Sequence, residues 1–586
     1  MTQTSQCRTD SRMGIAFSAL ATLILAGCGS GGGGASSPLA DEDGILGFVP
    51  ADTPYVFAAV EGMPDAALDK LEQGSDSMLA AYKTVVASTI EEMAAEGEIE
   101  ADEEELDLTL SLAESVIDLL QSDSLRSAGV PRGAQMAIYG VGLLPVIRVE
   151  LSNPVAFEAK IAEIEANIGG DMEVAEAGGQ SYRYLELDEA QMLIAVTDDY
   201  AVMAMTPAAL TEAQLSIVLG VQKPGESIAA TKALESLAAS YDFTTYGLGY
   251  FSISELAETF VGDPSGINAD LLTMMDYSAA DLPDVCRSDI RAMAGIMPRI
   301  VSGYTEVTAD QVTSNTVFEM RADLAEGLTA VSAPVPGLGM DHGGLGSFGM
   351  SIDALALRSF MEARFDAYEE APYECELLAG TQLMIDQARL SLNQPVPPVA
   401  YSFKGFLAVI DRIEGLDFNG QQPPEVVEAR MLVANDNAPA LLAMGAMFSP
   451  EIASLNLQPD GNPVELPMPQ LAAMAEAAHI AMTESALAIS VGDGAPERLS
   501  ELLNSPPSSQ QPLFSVRLDG QRYYEFMNEA MKAGNAASGE GDMSEELQNA
   551  ASTVMTGISD AIDRISVDVI LTNRGIELPA NVTLRD

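Results

Sequence analysis

Residues 194–205 read IAVTDDYAVMAM, and residues 480–491 read IAMTESALAISV. Each stretch consists of two short apolar runs on either side of a polar turn, which is the pattern of a β-hairpin. The two stretches are offset by 286 positions along their whole length. The sequence therefore predicts that one hairpin occurs twice, which indicates an internal duplication.

The duplication extends on both sides of the hairpin. Upstream, residues 146–151 and 427–434 form strand-like runs, and each is followed by a helix that begins at an Asn-Pro or Asn-Ala-Pro sequence. Downstream, residues 299–323 and 564–586 each alternate apolar and polar side chains as a pair of strands does. The offset falls to 265 positions there, because the first half carries an additional helical stretch at 223–246. Both halves are therefore expected to have the same order of elements.

A β-like run followed by a helix occurs four times along the chain. These runs begin at Tyr55, Gly249, Ser347 and Leu513. A Gly/Pro-rich stretch at 334–346 separates the two halves. We predict an α+β fold with two homologous tandem halves, at 45–332 and 338–586, each an antiparallel-rich sheet with helices packed on one face.

The N-terminal residues have the features of an export signal. Arg8 and Arg12 precede an apolar run at 14–27, which is too short to span a bilayer. The run ends in Leu25-Ala26-Gly27-Cys28, which resembles the lipobox of bacterial lipoproteins. A plain secretory signal with a coincidental cysteine is the alternative.

The lipobox resemblance implies a processed and acylated N-terminus. Residues 1–27 would be a lipoprotein signal peptide, Cys28 would carry the lipid, and residues 28–44 would form a Gly/Ser-rich tether. The acyl chains would hold the protein to the cell envelope. Gly29 stands where the family's inner-membrane retention signal is typically Asp, so the outer membrane is the expected location in a Gram-negative cell, on either its periplasmic or its surface face.

A second, short resemblance covers the start of the folded body. Residues 48–57, FVPADTPYVF, are similar to the start of certain uncharacterised bacterial envelope proteins, in which a Pro-Ala-Asp turn leads into the first strand. This resemblance implies no reaction.

The chain is strongly acidic. It has 87 Asp and Glu residues against 28 Lys and Arg, a net charge of -59, which would repel nucleic acid. Because the acidic residues are spread along the whole chain, a hydrated acidic surface explains them better than a site for cations. The densest acidic run, at 96–107, lacks the alternating ligands and central glycine of a calcium loop, so we interpret it as a solvated helix face or connector.

The cysteines predict one disulfide. Cys7 would be removed with the signal peptide and Cys28 acylated, which leaves Cys286 and Cys375. In an oxidising compartment such a pair is expected to form a bridge, here across the seam between the halves. Two separately buried thiols are the alternative.

Residues that usually carry catalysis are scarce. The chain has two histidines, His342 and His479, and no tryptophan. His342 follows Asp341, but no Gly-x-Ser-x-Gly elbow supplies a nucleophile. His479 has Met468, Met474 and Met482 nearby in sequence, a pattern that suits copper(I), although core packing explains it better. The G-x-G-x-x-G sequence at 344–349 lacks the preceding strand of a dinucleotide site.

These observations favour a binding or structural module over an enzyme. We expect no cofactor, no metal and no nucleic acid. The expected partners are the membrane, through the lipid anchor, and an envelope protein or an apolar ligand. The alternatives are an envelope hydrolase with a carboxylate-based site and a lipid carrier with a groove between the halves.

Overall fold

The computed structural model describes residues 37–95, 103–167, 170, 172–187, 190–394, 401–415, 424–447, 452, 454–455, 457–467, 477–538 and 545–585. The strands are β1 (Tyr55–Ala59), β2 (Met136–Val141), β3 (Leu144–Glu150), β4 (Glu173–Ala177), β5 (Gln180–Leu187), β6 (Ala190–Val196), β7 (Tyr200–Pro207), β8 (Leu248–Ser252), β9 (Arg299–Val307), β10 (Gln311–Glu319), β11 (Gly346–Ser351), β12 (Phe403–Glu414), β13 (Val426–Asn435), β14 (Val464–Glu465), β15 (Ala478–Met482), β16 (Ala486–Val491), β17 (Pro512–Asp519), β18 (Ile562–Thr572) and β19 (Gly575–Leu584).

The α-helices lie between these strands. They are α1 (Asp65–Ala95), α2 (Glu103–Leu120), α3 (Ser122–Ser127), α4 (Pro154–Asn167), α5 (Glu212–Leu219), α6 (Ile228–Thr231), α7 (Ala233–Tyr241), α8 (Ile253–Val261), α9 (Ile267–Met274), α10 (Asp284–Ala294), α11 (Ala322–Thr329), α12 (Ala354–Glu370), α13 (Ala379–Leu392), α14 (Ala438–Gly445), α15 (Ala495–Asn504), α16 (Gly520–Ser538) and α17 (Glu545–Ala561). Within the described ranges, no helix combines the length and the apolar character needed to cross a bilayer.

The fold is α+β, and its strands form one antiparallel sheet. Following the pairings from one edge to the other, the order is β4-β5-β6-β7-β3-β2-β1-β8-β9-β10-β19-β18-β17-β11-β12-β13-β16-β15-β14. Counted outward from the β10–β19 pair, the strands of the two halves follow the same order, except that β4 has no counterpart among the described residues of the second half.

The two hairpins expected from the opening stretches are β6–β7 and β15–β16. Val196 lies opposite Ala201, and Met482 lies opposite Leu487, so the register is the same at an offset of 286 positions. Both predicted hairpins are therefore present, and their strands pair in the same register.

The expectation of a separate sheet for each half is wrong. β10 pairs with β19 over its whole length, from Gln311 opposite Thr583 to Glu319 opposite Gly575. An unpaired edge on either strand would leave backbone donors and acceptors without partners, and the pairing satisfies both edges. The two halves therefore share one hydrogen-bonded sheet.

The expectation of helices on one face is also wrong. Val146 of β3 packs in the cluster that contains α5, α6 and α7, whereas Val149 of the same strand packs against Phe157 and Ile161 of α4. Successive strand side chains point to opposite faces, so these helices cover both sides of the sheet. The physical reason is that both alternating sets of side chains on β3 include apolar residues. Each face of the strand therefore has to be covered by other elements.

The folded body begins before the expected start near Ile45. Leu39, in a 3-10 turn at Pro38–Ala40, is already buried in the core of the first half. The Gly/Pro-rich seam is not a solvent-exposed linker either, because Val335 and Leu338 belong to the core cluster of the second half. Apolar side chains in segments outside the regular helices and strands thus contribute to the core.

A disulfide joins Cys286 in α10 to Cys375, which lies between α12 and α13. Their Cα atoms are 4.5 Å apart. The Asp289 carboxylate accepts hydrogen bonds from the backbone N–H groups of Glu374 (2.7 Å) and Cys375 (2.9 Å). This is the pair that the cysteine count predicted, and it connects the two halves. Helices α1 and α17 also pack together across the halves.

Candidate functional site

Some of the candidate residues predicted from the sequence contribute to core packing, and others lie outside the described ranges. Cys28, Met468 and Met474 lie outside them, as do residues 96–102 of the acidic run. Met482 is buried in a core cluster with Ile480. The methionine pattern near His479 is thus observed only in part, and its observed part is core packing.

His342 is held by backbone groups. Its Nε2 atom lies 2.8 Å from the Gly337 carbonyl oxygen, and burial lowers the pKa of the imidazole. The neighbouring Asp341 carboxylate instead accepts from the Gly343 N–H (2.8 Å) and contacts Arg564. Asp341 does not orient the ring of His342, so the two do not form a base and its orienting group.

His479, which is half-buried, belongs to a polar row that crosses three strands and whose other members, Ser490 and Arg430, are buried. It lies opposite Ser490, which lies opposite Arg430. Among the residues described, no hydrogen bond joins Ser490 to His479. Arg430 donates to Asp411 (3.0 Å), and Arg498 lies 3.7 Å from the same carboxylate. Because Arg498 also pairs with Glu428, the charges of this row balance internally.

Arg148 differs from the other described arginines. It lies on β3 with only 1% of its surface exposed. In the described part of the chain, every arginine other than Arg148 and Arg585 has a carboxylate oxygen within 4.0 Å. Buried arginines are normally paired, so an isolated guanidinium in a chain this acidic marks a candidate site.

Neutral groups stabilise the Arg148 guanidinium in part. Its Nη2 atom donates to the Leu219 carbonyl oxygen (3.2 Å), and its Nε atom lies 3.4 Å from the Tyr139 hydroxyl. The guanidinium carbon is 4.1 Å from the ring centroid of Phe48 and 5.6 Å from that of Tyr200. Leu219 ends α5, where the helix dipole is negative. These contacts provide partial charge but no full counter-charge.

The end of α5 is shaped to admit this contact. Gly220 follows the helix with φ +78°, the left-handed conformation that glycine adopts readily. A Cβ atom at this position would lie 2.3 Å from Arg148 Nη2. Glycine is therefore required both by the backbone conformation and by the close approach of the guanidinium.

Arg148 lines a cavity of about 460 Å³. Phe48 and Tyr200 form part of its wall, together with the β6–β7 turn and the first turn of α4. The turn is held by Thr197, whose hydroxyl accepts from the Tyr200 N–H (3.0 Å) and donates to the Tyr200 carbonyl (3.0 Å). The volume lies in the range of small-ligand sites.

The charges around the cavity are unevenly paired. Glu158 lies 2.6 Å from Arg183, whose Nε atom also lies 3.2 Å from Glu165, so Arg183 compensates Glu158 only in part. Asp198 and Asp199 are exposed on the β6–β7 turn and have no ion-pair partner among the described residues. Burial, and secondarily the charge of Glu150, raises the pKa of Tyr200, so its hydroxyl stays protonated. The cavity thus combines one unpaired cation inside with two unpaired carboxylates at its mouth.

Arg148 is not among the candidate residues predicted from the sequence, although its position in the strand carries a signal. In the strand LPVIRVE, Arg148 has the same parity as Leu144 and Val146, so it falls on the face that those residues bury. A charged residue at an inward strand position is the pattern that could have indicated this site.

No protein-family model, no curated protein and no solved structure matches this chain. What the protein does must therefore follow from the chemistry of its own residues, and the Arg148 cavity is the strongest feature that they form.

Proposed function

We propose that this protein is a lipid-anchored envelope protein whose folded body is a binding module rather than an enzyme. Cys28 carries the acyl chains, and the outer membrane is the expected site of attachment. The body binds a small ligand with an anionic group, and the cavity around Arg148 holds that ligand. Two observations support this assignment. One is the lipobox resemblance at Cys28, and the other is Arg148, the one buried cation in the described core that has no carboxylate partner.

The observation that carries the proposal is the unpaired Arg148. Removing a cation from water costs several kcal/mol, and a nearby anion offsets that cost best. The Leu219 carbonyl and the two aromatic rings offset only part of it. A ligand carboxylate or phosphate in the cavity would supply the missing counter-charge through a charge-assisted hydrogen bond.

We also propose that the two halves are homologous and that only the first kept or acquired this site. Arg148 lies opposite Val202, and Leu432 lies opposite Ala488. Val202 and Ala488 occupy the same place in the repeated hairpin, so Leu432 is the counterpart of Arg148. Leu432 packs in an apolar core with Leu499 of α15. A leucine can therefore fill this position, and the fold does not require a charge there.

The experiment is native mass spectrometry of acylated protein taken from its own envelope, with a broad hydrolase panel on the same sample. Wild type and the control Arg585→Leu should retain a small ligand, and Arg148→Leu should lose it. No panel substrate should turn over. Equal retention by Arg148→Leu, or turnover abolished by one Asp or Glu substitution that leaves the fold intact, would contradict the proposal.

A further inference from the structure

The unpaired charges of the cavity restrict the ligand beyond its anionic group. Arg148 supplies one cation inside, and Asp198 and Asp199 supply two carboxylates at the mouth. Glu158 adds a partly compensated carboxylate, because Arg183 is shared between Glu158 and Glu165. A ligand that is only anionic would satisfy Arg148 but would face both carboxylates. A ligand that is only cationic would leave Arg148 unpaired.

We propose, on the basis of the proposed function, that the ligand is a zwitterion: its anionic group binds Arg148, and its ammonium group binds the Asp198 and Asp199 turn. This arrangement satisfies all three unpaired charges. It also agrees with the net charge of -59, because an ammonium group at the mouth lowers the repulsion that a simple anion meets on approach.

Hydrogen bonds hold the two segments that form the mouth of the cavity, the β6–β7 turn and the first turn of α4. Besides the Thr197 contacts, the Asp199 carbonyl accepts from the Leu151 N–H at 2.7 Å. The first turn of α4 forms the other side, and its Asn153 side chain accepts from the Ala156 N–H at 3.2 Å. Val155 on that turn is 78% exposed and offers an apolar contact to the part of the ligand that joins the two charges.

Two sources have this chemistry: a free amino acid or short peptide, and the phosphoethanolamine headgroup of a bilayer lipid. The anchor would bring the second within reach, since the nine residue-to-residue steps from Cys28 to Ser37 span no more than about 32 Å. Phe48, on the segment that follows, is part of the cavity wall. The shared feature is an anionic oxygen group connected to an ammonium group by a short link.

The test is isothermal titration of full-length acylated protein with four probes: L-leucine, glycerophosphoethanolamine, glycerophosphate and ethanolamine. At least one zwitterion should bind about tenfold or more tightly than glycerophosphate, as the gain of a charge-assisted contact predicts, and ethanolamine should not bind. L-Leucine binding would identify the amino-acid source. Binding of glycerophosphoethanolamine and of phosphatidylethanolamine vesicles would identify the lipid source.

Two variants separate this inference from the proposed function. Asp198→Asn with Asp199→Asn should weaken the zwitterion about tenfold and leave glycerophosphate unchanged. Glu484→Gln, in the corresponding turn of the second half, is the matched control and should change neither. If glycerophosphate binds as tightly as the zwitterions and its binding depends on Arg148, the inference is wrong but the proposed function is retained. If neither zwitterion binds, the inference is wrong, and Arg148-independent binding of every probe would refute the proposed function as well.

Discussion

At the residue scale, Arg148 occupies a position that an apolar side chain could fill. Ala137 and Val202 lie directly opposite it on the neighbouring strands. These small neighbours leave room for the guanidinium but provide no counter-charge. A charge placed there reduces stability, because a buried unpaired ion lowers the free energy of unfolding.

Arg148→Leu should therefore not destabilise the ligand-free protein. We expect the free energy of unfolding to stay within about 1 kcal/mol of wild type or to rise by about 1–2 kcal/mol, since a desolvated charge is replaced by an apolar group. Urea denaturation of ligand-free samples measures this. A loss of more than about 2 kcal/mol would show that the aromatic and carbonyl contacts already satisfy the charge.

Gly220→Ala should affect both stability and the cavity. The left-handed conformation and the 2.3 Å approach to Arg148 Nη2 together should cost about 1–3 kcal/mol. The guanidinium must also move, so ligand retention should fall. Gly225→Ala is the control, because nothing lies within 4 Å of a Cβ atom there. Equal thermal stability of the two variants would contradict this account of the turn.

Cys28→Ser should abolish lipid attachment. If the lipobox resemblance holds, the variant incorporates no labelled fatty acid and is released from the membrane fraction, because no thiol is available for acylation. Metabolic labelling followed by fractionation measures both effects. Wild-type labelling of the variant would refute the assignment of Cys28 and favour the plain secretory signal.

At the element scale, α5 directs the Leu219 carbonyl at Arg148 because both of its ends are capped. Thr211 and Gln214 form a capping box at its start, and Gly220 ends it. Because both ends of this short helix are capped, its last turn is fixed. The Leu219 carbonyl therefore points in one direction. The repeated hairpin has the same role for the mouth of the cavity, since its turn presents the Asp198 and Asp199 carboxylates together.

Removal of the disulfide should loosen the helices that connect the halves. Cys286 and Cys375 are 89 positions apart, and closure of a loop of that size contributes at most about 4–5 kcal/mol. Cys286→Ala with Cys375→Ala should therefore lower the free energy of unfolding by up to that amount in urea denaturation. The cavity around Arg148 should be unaffected, because it is distant in the strand order from the bridge. Unchanged stability would indicate that packing alone holds α10 in place.

At the scale of the whole molecule, partly buried ion pairs lie on and beside the strands that join the two halves. Arg299 Nη2 lies 2.7 Å from Glu319, and Arg574 Nε lies 3.0 Å from Glu577. Burial alone would raise the pKa of Glu319. Hydrogen bonds from Arg299 and Tyr241, with the charges of Arg299 and Arg574, outweigh burial and leave that pKa below its ordinary value.

This lowered pKa predicts a pH dependence of stability. The Glu319 contribution is complete above the ordinary pKa of 4.5 and is lost as the pH falls through the lower folded-state pKa, because the unfolded chain binds the proton first. The difference in unfolding free energy between wild type and Glu319→Gln should thus shrink between about pH 6 and about pH 3. Denaturation at several pH values measures it, and a difference that grows on acidification would contradict this sign.

Much of the fold could be predicted from local patterns. The alternation in 194–205 and 480–491 predicted two hairpins, and their strands pair in the expected register. The cysteine count predicted the bridge between Cys286 and Cys375. The placement of helices on one face was wrong, because both sets of alternating side chains in β3 include apolar residues, so both faces of the strand need a cover.

The sequence by itself determined the hairpins, their common register and the choice of cysteines, since each depends on residue types at short or repeated spacings. Only the tertiary structure decided that β10 and β19 join the halves into one sheet, and that Arg148 has no carboxylate beside it. Those outcomes depend on contacts between distant residues, such as the one from Arg148 to Leu219, 71 positions away. A buried charge becomes a binding site or a structural ion pair according to which distant side chains packing brings next to it.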